Sequence, residues 1–337
     1  MSEQNRGRIV AGIGVPHTPG LGNQIGRADP AQLKRIMEGF DKVRQDLADA
    51  RPDVMIAFVN DHFDMFTLRN MPGFAIALGD THWGPPSDAE ASVNMKRAPI
   101  PGNSELAREI CAFATKTGFE LHRIDSAEFI HNILLPKKFI WPDLDIPVVP
   151  IFINCFAPPL PTFRRSYELG CAIREIVKGR PERIAVLASG GLSHWPPIIP
   201  DEEGDEGYNA RITELNNFGR RVASKDGPIR MVIMKREIEM AESGRTLINV
   251  DWDTEIMKRL ADGDAEYLVR LDHEDVHRAA GPGGSEMMMW VALMGVMNDR
   301  KGKIVMYEPV KEWMGGVGLL TYFDDSSAGS AANKAAA

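Results

Sequence analysis

The sequence predicts an α/β fold: a central, mostly parallel or mixed sheet flanked by helices, with a helical elaboration toward the C-terminal end. Three observations carry this expectation. Short apolar, β-branched runs recur along the first 200 residues, and stretches with helical periodicity stand between them. From Pro196 onward the texture changes to a Pro-rich turn, an acidic run and then mostly helical sequence to about Asn298.

The strand-like runs are Arg8–Ile13, Val54–Val59, Phe74–Leu78, Val148–Ile153 and Ile184–Ser189. A first helix is marked by Leu33, Ile36, Met37, Phe40, Val43 and Leu47, which share one helical face, and Asp29-Pro30 is a start signal of cap plus pre-set φ. A second helix follows Pro101-Gly102-Asn103 through Leu106, Ile110 and Phe113, and a third follows Pro161 with Leu169, Ile173 and Ile176. Both read as crossover helices. The acidic run Asp201–Glu206 reads as a solvated loop, because single carboxylates in a flexible run hold no metal geometry. Residues 1–325 are expected to form a single catalytic domain, with 1–200 the sheet part, 201–300 the helical elaboration and 301–325 a return to the sheet. Residues 326–337 read as a disordered tail, small and polar with no apolar period.

Composition narrows the function. With 337 residues and 44% hydrophobic content the chain can bury a sizeable core, while a net charge of −8 leaves no surplus of Lys and Arg to neutralise a phosphate backbone. The longest apolar runs, such as Pro147–Ile153, fall far short of a membrane span. Neither nucleic acid nor membrane is an expected partner. Three cysteines without C-x-x-C spacing, Cys111, Cys155 and Cys171, read as free thiols in the core, and the polar start Met1–Arg8 is not a signal peptide; a cytoplasmic location is expected.

The histidines point to chemistry. Of eight, His17, His62 and His194 each follow a predicted strand, where α/β proteins place their sites, and His131 lies shortly before the strand at Val148. Two imidazoles and one carboxylate on one face of an iron ion leave positions open for substrate and dioxygen. Glu286 is the carboxylate candidate. It stands in Gly281-Pro282-Gly283-Gly284-Ser285-Glu286, a glycine-rich turn entering an apolar helix. There it is either buried and paired with a cation or exposed in a first turn, interacting with the helix dipole. The string Met287–Met289 reads as core packing. His273 and His277 are four apart on a helix, but Glu274, Asp275 and Arg278 around them suggest a solvated face.

These residues sit in motifs that resemble a known family. G-x-x-x-P-H-T-P around His17, N-D-H at Asn60–His62, G-G-L-S-H at Gly190–His194 and the segment Ala280–Trp290 stand in the order found in the class III extradiol ring-cleavage dioxygenases, the superfamily of the protocatechuate 4,5-dioxygenase catalytic subunit. Pro150–Asn154, Pro158–Pro161, Ser193–Pro197, Asp251-Trp252-Asp253 and Glu312–Gly316 look most like the branch acting on 2,3-dihydroxyphenylpropionate, as does the helical segment between His194 and Asp251.

The resemblance implies a non-haem iron(II) enzyme that cleaves a catechol-type ring with dioxygen to a semialdehyde or keto acid. It further implies His17, His62 and Glu286 as iron ligands, His194 as acid/base and His131 as a second histidine near the substrate. The family usually has D-H-G at that last position, whereas this chain reads Ile130-His131-Asn132. Asp61 is a candidate to orient His62, and Phe63, Trp83 and Trp195 are candidates to wall the aromatic pocket. The chain is expected to work as a homo-oligomer or with a separate small lid subunit. Two other readings compete: a metallohydrolase, since two histidines and a carboxylate also suit zinc, and a non-enzymatic binding protein on the same fold.

Overall fold

The computed structural model describes residues 8–323 except 202, 203, 246 and 299, so the tail expected at 326–337 lies outside the described residues. Its strands are β1 (Arg8–Val15), β2 (Val54–Val59), β3 (Phe74–Ala77), β4 (Thr81–Gly84), β5 (Ala98–Pro101), β6 (His122–Ile124), β7 (Val148–Ile153), β8 (Arg183–Ser189), β9 (Lys303–Val310) and β10 (Gly315–Phe323). Eight of them form one sheet in the order β6-β3-β7-β2-β8-β1-β10-β9, and β4 pairs with β5 in a separate ribbon. The four central strands β7, β2, β8 and β1 are parallel; β3 and β10 flank them antiparallel. The α/β expectation holds, with a mixed sheet.

Strand β2 shows why the centre is parallel. All six of its residues are buried, with Val54, Ile56 and Phe58 in one apolar cluster and Met55, Ala57 and Val59 in the other. A strand apolar on both faces needs cover on both, which crossover helices supply. The helix Pro30–Ala50 covers one face through Ile36, Phe40, Val43 and Leu47. Helices Ser104–Lys116 and Phe163–Val177 cover the other through Leu106, Ile110, Leu169 and Ile173. Their starts match the sequence signals: Asp29 accepts from the backbone N–H groups of Ala31 and Gln32, Asn103 from Leu106, and Thr162 from Arg165.

Several elements escaped the sequence reading. The ribbon was hidden by Pro99 and Pro101 inside β5, since proline reads as a strand breaker. His131 does not lie in a loop before β7; it opens the helix His131–Ile140, obscured by Pro136 in its interior. The acidic run is not simply solvated: Asp205 caps the helix Glu206–Phe218 by accepting from Tyr208 N–H, and Asp201 pairs with Arg236 at 2.6 Å. Among the described residues no helix is long and apolar enough to cross a membrane.

The helix Met288–Met297 is buried on every side, as its uniformly apolar sequence requires. It lies against Phe163–Val177 at glycine contacts. A Cβ on Gly170 would stand 2.0 Å from the Ala292 carbonyl oxygen, and one on Gly295 2.2 Å from that of Tyr167. The backbones therefore meet with no room for a methyl group. Gly170→Ala should cost about 1–3 kcal/mol, the usual penalty of overpacking, read as a lower urea midpoint with an unchanged slope; an unaltered midpoint would show that the helices can separate freely.

Candidate metal centre and active site

Parallel strands β1, β2 and β8 end on one edge of the sheet, and the chain leaving each carries one of the histidines. His17 follows β1 by one turn residue, His62 follows β2, and His194 follows β8 through Gly190–Ser193. Glu286 reaches the same point from the 3-10 turn Pro282–Met287, only 1% exposed. It is not in an exposed first turn, which settles the two sequence readings in favour of burial.

The carboxylate is the hub. Its Oε2 accepts the Gly191 backbone N–H at 2.7 Å and lies 3.2 Å from His17 Nε2; its Oε1 accepts from Asn60 Nδ2 at 2.9 Å and lies 3.3 Å from His62 Nε2 and 3.5 Å from His194 Nε2. Burial alone would raise the pKa of Glu286, but the charges and hydrogen bonds of His17 and His194 outweigh it, so the group sits well below the usual carboxylate range. Burial pushes the pKa of His17 down, against the opposing pull of Glu286.

The arrangement fits a metal ion. With His17 Nδ1 donating to Ser189 Oγ, 2.9 Å away, Nε2 is left with a lone pair, and among the described residues that buried Nε2 has no hydrogen-bond partner. A nitrogen lone pair and a carboxylate oxygen 3.2 Å apart repel each other unless a cation bridges them. Two donors held about 2.1 Å from one ion stand roughly 3.0–3.4 Å apart, matching the observed spacing. His131 joins the cluster: its ring centroid is 4.3 Å from that of His62 and 5.3 Å from that of His17, and ligand nitrogens of all three lie within 4.8 Å of one another. Asn132 explains how the chain keeps His131 there without the family's usual glycine. Its Nδ2 donates to the Asn60 carbonyl at 2.9 Å and ties the start of the helix to the turn of His62.

His194 is held differently. Its Nδ1 donates to the Leu192 carbonyl at 2.8 Å, so Nε2 is presented toward Glu286 and the cavity. Although burial opposes it, the Glu286 charge raises the pKa of His194, whereas burial and the neighbouring His62 and His17 push His131 well down. The ring has bare glycine on two sides: a Cβ on Gly191 or Gly283 would come within 2.2 or 2.3 Å of it. Behind it, buried Asp253 accepts from Ser193 N–H and Oγ, both at 2.7 Å, and from Tyr307 Oη at 2.6 Å.

Some candidates have other tasks. Asp61 accepts the backbone N–H groups of Asp64, Met65 and Phe66 and is a turn cap, not an orienter of His62. Phe63 is packed in the core behind the site, and Trp83 is 42% exposed beneath Arg97; neither walls the cavity, while Trp195 does. His273 is not on a solvated face: it bonds Ser285 Oγ at 3.0 Å and the Pro161 carbonyl at 2.8 Å and stacks on Phe163. Asn60, Asn132, Ser189, Asp253 and the two glycines were not assigned roles from sequence. Their partners lie far along the chain, 226 residues away for Asn60 and Glu286, and no local pattern records that.

A cavity of about 490 Å³ opens from this cluster, lined by His17, His62, His131, His194 and Glu286 at one end and by the helix Ile229–Glu242 at another. That is the size of a small-molecule site.

Residues 11–320 match the family model described as the catalytic LigB subunit of aromatic ring-opening dioxygenase. A 2,3-dihydroxyphenylpropionate/2,3-dihydroxicinnamic acid 1,2-dioxygenase of Photorhabdus laumondii is 28% identical over 327 residues, covering 92% of this chain and 96% of that protein. The protein of the same name from Escherichia coli is 31% identical over 308 residues, covering 88% and 94%. Among solved structures, an uncharacterized protein of Escherichia coli K12 is similar at a TM-score of 0.47 and 13% identity, over 93% of this chain and 99% of that one.

One buried acid on the cavity wall has a pH signature. Burial pushes Glu237 up to about 7, against the hydrogen bond donated by Gln24 at 2.9 Å. Between the unfolded value of 4.5 and the folded value of about 7, the unfolded chain has released a proton that the native protein keeps. Stability therefore falls as pH rises through this window, by about 3 kcal/mol in all from this group. Glu237→Gln should flatten that decline and raise the urea midpoint at pH 8 relative to the parent; an unchanged pH dependence would contradict the assignment.

Proposed function

Because the chain belongs to the family of catalytic LigB subunits of aromatic ring-opening dioxygenases and is an extradiol enzyme that opens a catechol ring with dioxygen, we propose that His17, His62 and Glu286 hold an iron(II) ion and that His194 moves the protons. The observation that carries this reading is the buried His17 Nε2, 3.2 Å from the Glu286 carboxylate and without a hydrogen-bond partner among the described residues. Family membership removes the metallohydrolase and binding-protein alternatives. It brings a metal cofactor with it; the choice of iron over zinc rests on the donor set and on the reaction, since zinc has no redox chemistry.

When bound, iron(II) brings the catechol oxygens and dioxygen together and relays electrons between them. The chain's own residues do the rest. His194 Nε2, its other nitrogen spent on Leu192, takes a hydroxyl proton from the arriving catechol and later returns a proton to oxygen as the ring opens. His131, kept neutral by burial, offers a hydrogen bond to a substrate hydroxyl or to oxygen without adding charge. Trp195, Pro197, Ile198, Leu215 and Trp313 exclude water around the ring.

The names of its relatives support a catechol bearing a substituent next to one hydroxyl as the substrate. Assembly is expected between identical chains and not with a separate lid, because the helix Ile229–Glu242 already walls the cavity from within the chain.

Two measurements test the ligand and proton roles. Glu286→Gln keeps an acceptor for Gly191 N–H but removes the charge; it should lose iron on gel filtration, seen by metal analysis, while its circular dichroism matches the parent. Full iron occupancy would remove Glu286 from the ligand set. His194→Ala should keep iron and bind a catechol yet lose about a hundredfold to ten-thousandfold in turnover. Near-parental turnover would move the acid/base role to His131, and full activity with zinc would refute iron altogether.

A further inference from the structure

Beyond the histidine cluster, the cavity runs to the helix Ile229–Glu242, where Arg230 is the cation with the least compensation among the charged side chains lining it. Arg220, its neighbour, is held by Asp64, Asp88 and Glu128 together. Among the described residues Arg230 pairs with Asp64 alone, 3.0 Å from one terminal nitrogen, and the same oxygen of Asp64 also serves Arg220 at 3.2 Å. The Nε atoms of both arginines are buried without a hydrogen-bond partner among the described residues, so what separates the two is the number of carboxylates at their terminal nitrogens. A guanidinium in this state is an anion receptor with donors to spare, and an unmet buried donor costs more than a partnered one contributes.

Its place relative to the chemistry is also defined. Its partner Asp64 stands two residues after His62, and Arg230 lines the same cavity as His62 and His131, with Glu237 farther along the same helix. Ile233 and Met234 line the stretch of wall between Arg230 and Glu237 along the helix, giving an apolar surface beside a cation that shares its one carboxylate with Arg220.

Resting on the ring-cleavage reading of this cavity, we propose that Arg230 is the specificity-determining residue for the ring substituent. Its guanidinium binds a carboxylate ending a short side chain of the catechol, while the two hydroxyls lie at the histidine cluster. The methylenes of that side chain run along Ile233 and Met234.

The test compares 3-(2,3-dihydroxyphenyl)propionate with 3-propylcatechol, which keeps the chain but lacks the charge, on iron-loaded enzyme. Parent enzyme should favour the acid in kcat/KM. Arg230→Met should reduce that preference by roughly tenfold to a hundredfold, the worth of a hydrogen bond to a charged group, mainly by raising KM for the acid. Arg230→Lys should keep part of the preference, since it retains the charge without the planar fork; should the Met variant not fold, a several-fold fall of the ratio in the Lys variant carries the test. A parent enzyme that cleaves 3-propylcatechol as well as the acid overturns the proposal and leaves ring cleavage standing. So does a variant whose ratio equals the parent's. If the parent cleaves neither catechol, the substrate reading of the cavity falls, and the proposal with it.

Discussion

An ionised carboxylate with 1% exposure is the constraint around which the rest of this protein is arranged. Stripping a carboxylate of water costs many kcal/mol unless positive charge and hydrogen bonds replace the solvent. Here the replacements come from three separate segments: the turn after β1 through His17, the turn after β2 through Asn60 and His62, and the glycine turn after β8 through Gly191 and His194. Each segment is brought to the carboxylate only by correct closure of the sheet. The parallel strands are therefore a frame that aims their ends at one buried charge, and a metal ion completes what the imidazoles begin.

Much of that frame was readable before any coordinates. Strands β2 and β8 announced themselves because a strand covered on both faces must be apolar throughout, and the helix starts at Asp29, Asn103 and Thr162 follow from capping chemistry local to a few residues. The histidines were legible because strand ends can be counted along the chain. What could not be read depends on partners distant in sequence. Asn60 looks like any turn residue until Glu286 arrives beside it. His273 was misjudged because Glu274, Asp275 and Arg278 advertise a wet helix, while His273 itself is turned toward Ser285 and Pro161. Phe63 sits in a left-handed conformation, with φ at 60°, that sends its ring into the core instead of the cavity.

The two ends of the cavity embody a division of labour. At the sheet end, donor atoms are fixed by backbone contacts: Leu192 orients His194, Ser189 orients His17, and glycine leaves space for the His194 ring. Such contacts leave little freedom, which suits a centre where positions must hold to fractions of an ångström. At the helical end, the wall is a helix contributing long side chains, Met231 and Met234 among them, that adapt to what enters. The proposed chemistry thus falls on the rigid element and the proposed recognition on the adaptable one.

The network behind His194 has a temporal side. Tyr307, on β9, donates to Asp253, which holds Ser193; Gly316 N–H, at the start of β10, donates to the Ser193 carbonyl at 3.0 Å. These anchors are nearly the last residues of the described chain to leave the ribosome, whereas His17 is among the first. A growing chain thus acquires its candidate ligands while the proton-moving turn still lacks its anchors. The turn that carries His194 is fully anchored only once the final two described strands have paired.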